Sequence, residues 1–214
     1  MQDLDVWLLL DDLAAMIDHE ISPAIGWVRH AANREIEEFS GSTTNAMIEA
    51  LRRRVDGLVK IASASRAPAF QPIALHELLS SQVGLAYLGE SLSLEAATGT
   101  DDTISTDAGL FSSILENALE NAIDGIREIP SQEGNALVTY GVTDRDFWVK
   151  ITNRFIGTSF EYVSVSASGR TSKAEHRGLG IRAMEIAAGR LGYSIDIRAA
   201  GGVAIFTLHG PRYV

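Results

Sequence analysis

Apolar residues recur at helical spacing over residues 3–39. At about 100° per residue, Trp7, Leu10, Ala14, Ile17, Ile21, Ile25, Val28, Ala32, Ile36 and Phe39 fall on one broad stripe, which predicts a long amphipathic helix. The Ser/Thr/Gly run SGSTTN at 40–45 predicts a turn in which Thr43, Thr44 or Asn45 caps a second helix. Met47, Leu51, Val55, Leu58 and Ile61 continue at helical spacing as far as SASRAPAFQP, where two prolines end the pattern. Two helices joined by a short turn predict an antiparallel hairpin. A lone hairpin cannot bury both stripes, so pairing with a second copy as a four-helix bundle is expected.

After Pro72 the period changes. IALHELLSSQVGLAYL reads as a helix, SLSLEAATG and TIST as short strands, and residues 107–128 as a strong helix. NALVTYGVTDRDFWVKITN predicts two strands around a polar turn, and YSIDIRAAGGVAIFTLHG predicts a hairpin around Gly201-Gly202. Between them lie a Ser/Gly/Arg/Lys-rich segment at 157–177 and a helix opened by RGLGIRAMEIAAGRLG. The expected class is α+β, with helices on one face of a mixed sheet following the N-terminal hairpin. The division falls between a hairpin at 1–68 and an α/β unit at 69–214.

Composition narrows the partners. A net charge of −10 and a pI near 4.9 argue against nucleic acid or an anionic membrane as the main partner. The absence of cysteine excludes disulfides and Cys-ligated zinc. VWLLL is too short for a signal-peptide core, and no apolar run approaches the roughly 20 residues of a membrane span. The expectation is a cytoplasmic chain, or the soluble part of a longer one.

Two stretches carry candidate chemistry. In IDHEISPAIG, His19 lies almost opposite the apolar stripe with Glu20 beside it. A solvent-facing neutral imidazole whose far nitrogen is held by a carboxylate suits nucleophilic work. Pro23 removes the helical hydrogen bond that would reach the carbonyl of residue 19, so a loosened or kinked helix is expected there. An ordinary surface histidine beside a packing kink fits the same residues, and His30 on the same face is a rival without a neighbouring acid. In LFSSILENALENAIDGI, Phe111, Leu115, Ala118, Leu119, Ala122 and Ile126 form a buried arc. Asn117, Asn121 and Asp124 line an edge of the other arc, flanked by Glu116 and Glu120. Asparagines a turn apart can ligate Mg²⁺ and orient phosphates without excess negative charge. In RGLGIRAMEIA, glycines directly precede a helix, where free N–H groups attract phosphate. Upstream, Arg170, Lys173, His176 and Arg177 make a locally basic stretch outside the helical patterns, a character suited to a loop covering phosphates.

Together these motifs resemble the ATP-binding fold shared by histidine kinases, DNA gyrase and MutL, the GHKL superfamily. NALENAID is similar to the kinase N box, GLGI to the second glycine box, SGRTSKAEHRGLGI to the lid of quorum-sensing and citrate-sensor kinases, and IDHEISPAIGWVRHAA to the H box of the dimerisation helix. FQPIALHELL resembles the link between the two units, so the likeness covers essentially the whole chain in order. The resemblance implies a sensor histidine kinase core working on ATP and Mg²⁺. His19 would be the phosphoacceptor and Glu20 its acid/base helper. Asn121 would ligate Mg²⁺ with Asn117 beside it, Gly178 and Gly180 would cradle phosphate, and Lys173 and Arg177 would assist from the lid. The implied partners are a second copy bound through the hairpin, a response-regulator receiver and an upstream sensor.

The first glycine box departs from its pattern. It corresponds to Asn153-Arg154-Phe155-Ile156-Gly157, so the adenine-reading Asp is Asn153 and the first glycine is Phe155. Asn can accept from the adenine amino group without the charge that strengthens the contact. This departure opens a second reading, a histidine phosphotransfer protein whose kinase-like domain no longer binds ATP. A third is a binding module or switch kinase acting on a partner's serine. In the H box, Pro23 occupies the place of the Thr or Asn that positions water for dephosphorylating a partner. Weak or no phosphatase activity is therefore expected, and robust Mg²⁺-dependent dephosphorylation of a cognate receiver by this protein would contradict it.

Overall fold

A computed structural model describes residues 15–86, 91–97, 101–129, 135–156, 159–161 and 179–213. The N-terminal rod runs through a π-helical turn, Ile17–Ile21, into α1 (Ser22–Glu35). A short 3₁₀ turn, Phe39–Gly41, leads to α2 (Thr43–Ala64). The cap of α2 is Ser42, one position earlier than the sequence predicts: its Oγ accepts from the Asn45 N–H at 3.1 Å. The residue at the cap must be extended, and Ser42 is (φ −76°, ψ 152°), whereas Thr43 is already helical.

α1 and α2 pack as an antiparallel hairpin around buried Ile25, Phe39, Ile48 and Val55, with Ile17, Ala32 and Ile36 against them. The predicted stripes divide into two faces. Val28, Met47, Leu51 and Leu58 are exposed in the single chain. Trp7, Leu10 and Ala14 lie outside the described residues.

The α/β unit begins with β1 (Gln71–Ala74), where the sequence pattern predicts helix from Ile73. The segment is extended because it pairs antiparallel with β3 (Thr103–Thr106), with Pro72 placed where an edge strand tolerates it. α3 (Leu75–Ala86) starts only at Leu75, where the carbonyl and carboxylate of Asp102 accept from the N–H groups of Leu75 and His76. A six-stranded sheet follows, in the order β2 (Ser91–Ala96), β4 (Asn135–Val142), β5 (Asp146–Arg154), β8 (Val203–Pro211), β7 (Ser194–Ala200), β6 (Phe160–Glu161). The β2–β4 pair is parallel and the rest are antiparallel, so the sheet is mixed as expected. Gly201 and Gly202, both at positive φ, close the β7–β8 hairpin.

One face of this sheet is covered by α3, α4 (Ala108–Arg127) and α5 (Leu179–Leu191). Strand β5 shows why. Phe147, Val149, Ile151 and Asn153 are buried on the helix side, while Trp148, Lys150 and Thr152 point the other way. The core joins these to Leu75, Leu79, Phe111, Leu115, Met184 and Leu208. Ala64 at the end of α2 belongs to this core too, so the hairpin enters the α/β unit as packed structure. None of the described helices is long and apolar enough to cross a membrane.

The joint between the two parts is Asp107, the N-cap of α4. Its carboxylate accepts from the Leu110 N–H at 2.9 Å and the Ala69 N–H at 2.7 Å, and it pairs with both terminal nitrogens of Arg66. Gly109 leaves room for that guanidinium, since a Cβ there would stand 2.8 Å from Arg66 Nη2. Burial pushes the Asp107 carboxyl up, but Arg66 and the two N–H groups outweigh it and hold the carboxyl below its ordinary range. A depressed folded-state pKa contributes stability above the unfolded value and loses it as pH falls through the folded value. Asp107→Ala is expected to lower stability by about 2–3 kcal/mol at neutral pH. In urea titrations the difference from wild type should shrink once pH drops below about 4.

Candidate active site

The candidate residues converge on the length of α4. This helix turns Leu110, Phe111, Ile114, Leu115, Ala118, Leu119 and Ala122 into the core, and Asn121 emerges on its solvent side between exposed Glu120 and half-buried Asp124. Asn117 differs from expectation. It is only 4% exposed, and its Nδ2 donates to the Ser113 carbonyl at 2.7 Å. Its Oδ1 faces Gly180 of α5, where an added Cβ would stand 2.9 Å away. The burial follows from α5 packing across that turn of α4, which a periodicity drawn on one helix does not contain.

At the other end of the same face, Gly125 lies against β5. A Cβ at Gly125 would meet Asn153 Nδ2 at 2.8 Å. Asn153 is buried on the helix side of β5 because it continues the alternation of Phe147, Val149 and Ile151. Its Nδ2 donates to the Arg154 carbonyl at 2.7 Å, which leaves Oδ1 as its accepting atom. The next turn of chain is fixed by the Phe155 N–H, which donates to the Gly202 carbonyl at 2.9 Å.

The eight-residue step from Asn117 to Gly125 spans about 12 Å at 1.5 Å per residue. α5 thus abuts one end of the face, the β5 terminus abuts the other, and Asn121 stands between them. Gly157, Lys173, Arg177 and Gly178, together with Arg170 and His176, lie outside the described residues. Of the two glycines in the second glycine motif, the structure describes Gly180.

Hard oxygen donors suit Mg²⁺, and the amide oxygen of exposed Asn121 with the carboxylate of Asp124 one turn on supplies such donors. Among the described residues there is no cluster of three or more His, Asp or Glu that would itself hold a metal. The donors therefore fit an ion that also takes oxygens from a phosphate ligand and water.

His19 and Glu20 stand apart from this face, on the π turn of the N-terminal rod, and both are exposed. The turn accommodates Pro23. The Ser22 N–H reaches back five residues to the Ile17 carbonyl, and the missing N–H of Pro23 falls in the first turn of the α-helix that follows. Expectation held that the helix is loosened at the histidine, and the loosening takes this form.

Sequence reasoning passed over Gly57, Gly125 and Lys60. The glycines carried a signal, because an isolated glycine inside a helical pattern commonly marks a close approach.

Residues 108–209 match the GHKL domain family. Three solved structures are similar across nearly the whole chain. Histidine kinase ThkA in complex with response regulator protein TrrA is 18% identical with a TM-score of 0.65, over 98% of this chain and 64% of that one. Full-length ShkA in complex with AMPPNP is 17% identical with a TM-score of 0.64, over 94% of this chain and 45% of that one. Acinetobacter baumannii histidine kinase AdeS is 15% identical with a TM-score of 0.61, over 91% of this chain and 97% of that one. At these identities the likeness is one of fold. No curated protein matches the sequence.

The glycines of the site make a test by sign. Gly125→Ala and Gly180→Ala each overpack an amide and should cost about 1–3 kcal/mol. Gly189→Ala, on an exposed turn of α5 with no atom within 4 Å, should stabilise by about 0.5–1 kcal/mol. Thermal denaturation of the three variants reads both signs.

Proposed function

We propose that this chain, whose residues 108–209 match the GHKL domain family, is the catalytic core of a two-component histidine kinase. In this reading residues 1–68 form a dimerisation and phosphotransfer hairpin, and residues 69–214 form the ATP-binding unit. The observation that supports it most is the composite face of α4. Asn121 stands exposed between Gly180 at one end and the Asn153 amide at the other, in a chain that also presents an exposed histidine on a loosened helical turn.

The adenine amino group would donate to Asn153 Oδ1. The phosphates would extend along α4 toward Gly180, with Gly178, Lys173 and Arg177 reaching them from the covering segment and Gly157 closing the base end. Asn121, with Asp124 behind it, would hold Mg²⁺, which when bound neutralises phosphate charge and orients the γ-phosphoryl group. Asn117 would act through packing, seating α5 against α4. Catalysis would then be mainly positioning, with charge neutralisation at the transferring group.

At His19, Glu20 would keep one ring nitrogen protonated so that the other attacks the γ-phosphorus. The bond from the γ-phosphorus to the β–γ bridging oxygen breaks and ADP leaves. The phosphoryl group would pass next to an aspartate of a response regulator. ThkA in its complex with TrrA supports that class of partner by analogy of fold. Val28, Met47, Leu51 and Leu58 form an exposed apolar face on the hairpin, which a second copy would cover in a four-helix bundle. An upstream sensor would supply the signal, and the setting is cytoplasmic.

Incubation with γ-labelled ATP·Mg²⁺ should give an acid-labile label that is lost in His19→Gln and falls at least a hundredfold in Asn121→Ala. Failure to bind nucleotide at millimolar concentration would leave only the phosphotransfer reading. An acid-stable label indifferent to His19→Gln would point to a serine kinase instead.

A further inference from the structure

The exposed apolar residues of the hairpin share one side, and that side fixes where a second copy sits. The two helices meet at buried Ile25, Ile48 and Val55. Val28, Leu51 and Leu58 each follow one of these by three residues, about 60° short of a full turn. Seen down α1 from its N-terminus, with α2 to the right, that step turns Val28 upward. α2 runs the other way, so the same step turns Leu51 and Leu58 upward as well. The Arg29–Glu49 ion pair, at 3.3 Å, bridges the lower side. Exposed Ile21 precedes Val28 by seven residues, as Leu51 precedes Leu58, the heptad spacing of helices that pair. A second copy laid on the upper face about a twofold axis parallel to the helices places its α1 above this chain's α2.

His19 points left in this view. It follows Ile17 by two residues, about half a turn, and Ile17 packs on the hairpin core while His19 is exposed. The α/β unit lies to the right. Gly57 and Lys60, two and five residues after Val55, are about 200° and 140° round α2 from it. Leu179 of α5 sits on Gly57, and Lys60 Nζ meets Glu120 Oε2 at 3.1 Å. Leu179 lies between Gly178 and Gly180, and Glu120 precedes Asn121, so the rim of the candidate site is on this side. The Arg66–Asp107 joint holds the start of α4 at the end of α2, which keeps the unit there. Height agrees too: ten residues before Arg29 and ten after Glu49, His19 and Val59 stand at about the same level.

Distance then decides which imidazole belongs to the site. The chain's own His19 lies beyond the thickness of both helices, about 20 Å at roughly 10 Å each. The twofold axis exchanges left and right, so it turns the second copy's His19 to the right, at the same level. That ring stands on the side of the α/β unit and on the neighbouring helix, about 8–10 Å from the axis of α2.

We infer that the two halves of the active site come from different copies: the nucleotide face of one chain serves His19 of the other. The unprotonated ring nitrogen forms a bond to the γ-phosphorus as the bond to the β–γ bridging oxygen breaks. ADP leaves with that electron pair, and Glu20 beside the ring takes the proton of its far nitrogen. This inference rests on the proposed readings of His19 as phosphoacceptor and of the hairpin as dimerisation element.

Two variants carry half of the site each. His19→Gln keeps the nucleotide face, and Asn121→Ala keeps the acceptor. Both positions are exposed, so both chains should fold. Alone, each should take up less than about a hundredth of the wild-type γ-label from ATP·Mg²⁺. Mixed in equal amounts, with a size tag on one, they should regain about a quarter of it, all on the Asn121→Ala chain. Half of the dimers are then mixed, and each holds one competent pair. In a second arm, wild type is mixed with an excess of the double variant His19→Gln/Asn121→Ala. Label per wild-type chain should fall severalfold as inert partners replace active ones. No label in the first mixture, with mixed dimers recovered through the tag, would overturn transfer between copies. Undiminished label per wild-type chain in the second would do the same. Wild-type protein that takes no label at all would overturn the functional reading, and the inference with it.

Discussion

Close approach to one helix is the constraint on which the rest of the structure depends. α4 must fill the core with one side and present amides with the other, and both neighbours that complete the site press against its flank. Where α5 crosses, the contact is Asn117 against Gly180, and where β5 ends it is Asn153 against Gly125. A methyl group at either glycine would stand under 3 Å from an amide atom, nearer than close-packed interiors allow. Each glycine lowers intrinsic helix stability by up to about 1 kcal/mol relative to alanine. What offsets that cost is burial of the opposite side, where Phe111, Ile114 and Leu115 are sealed. The geometry of the site and the packing of the core are therefore set by the same helix.

The same principle extends to the joint with the hairpin. Asp107 caps α4, holds the backbone of Ala69 and pairs with Arg66. The end of α2 and the start of α4 therefore cannot move independently without exposing a buried carboxylate to the loss of its partners. Further back along α2, α5 packs along the helix with Leu179 seated on Gly57, and Lys60 pairs with Glu120.

The residues that were legible in the sequence are those whose roles depend on their own element. The buried arc of α4, the alternation along β5 and the Gly201-Gly202 hairpin all follow from local period or turn chemistry. Pro23 beside His19 announced a disturbed helix, and the disturbance is a widened turn. What could not be read depends on a partner element. Asn117 belongs by period to the polar edge of α4, yet α5 covers it. Ile73 has helical company on its C-terminal side, yet β3 claims it as strand through pairing some 30 residues away in sequence. Val28, Met47, Leu51 and Leu58 fit the predicted stripes but face outward, because two helices in contact bury only the sides that meet. The glycines at 57 and 125 read locally as weak points of helices, and their purpose lies entirely in Leu179 and Asn153.

Asn153 stands where the resembled motif carries a carboxylate, and its amide keeps one accepting oxygen there. A carboxylate at this position accepts in any orientation, whereas an amide must be turned the right way. The Arg154 carbonyl can only accept, so it draws the Nδ2 side of the amide toward itself, and Gly125 leaves the space in which that orientation fits. The oxygen is left facing away as an acceptor, the polarity an amino-bearing base requires. A purine with a carbonyl in the same place would meet the oxygen as acceptor against acceptor. The neutral contact is worth about half of a charge-assisted one, so in the proposed kinase more of the nucleotide affinity falls to the phosphate end of α4. There the proposed contributors are Asn121 and the basic residues Lys173 and Arg177. An enzyme that holds its substrate mainly by the reacting end has less binding energy available from the remote base. Its rate then depends correspondingly more on how the α/β unit is placed against the imidazole.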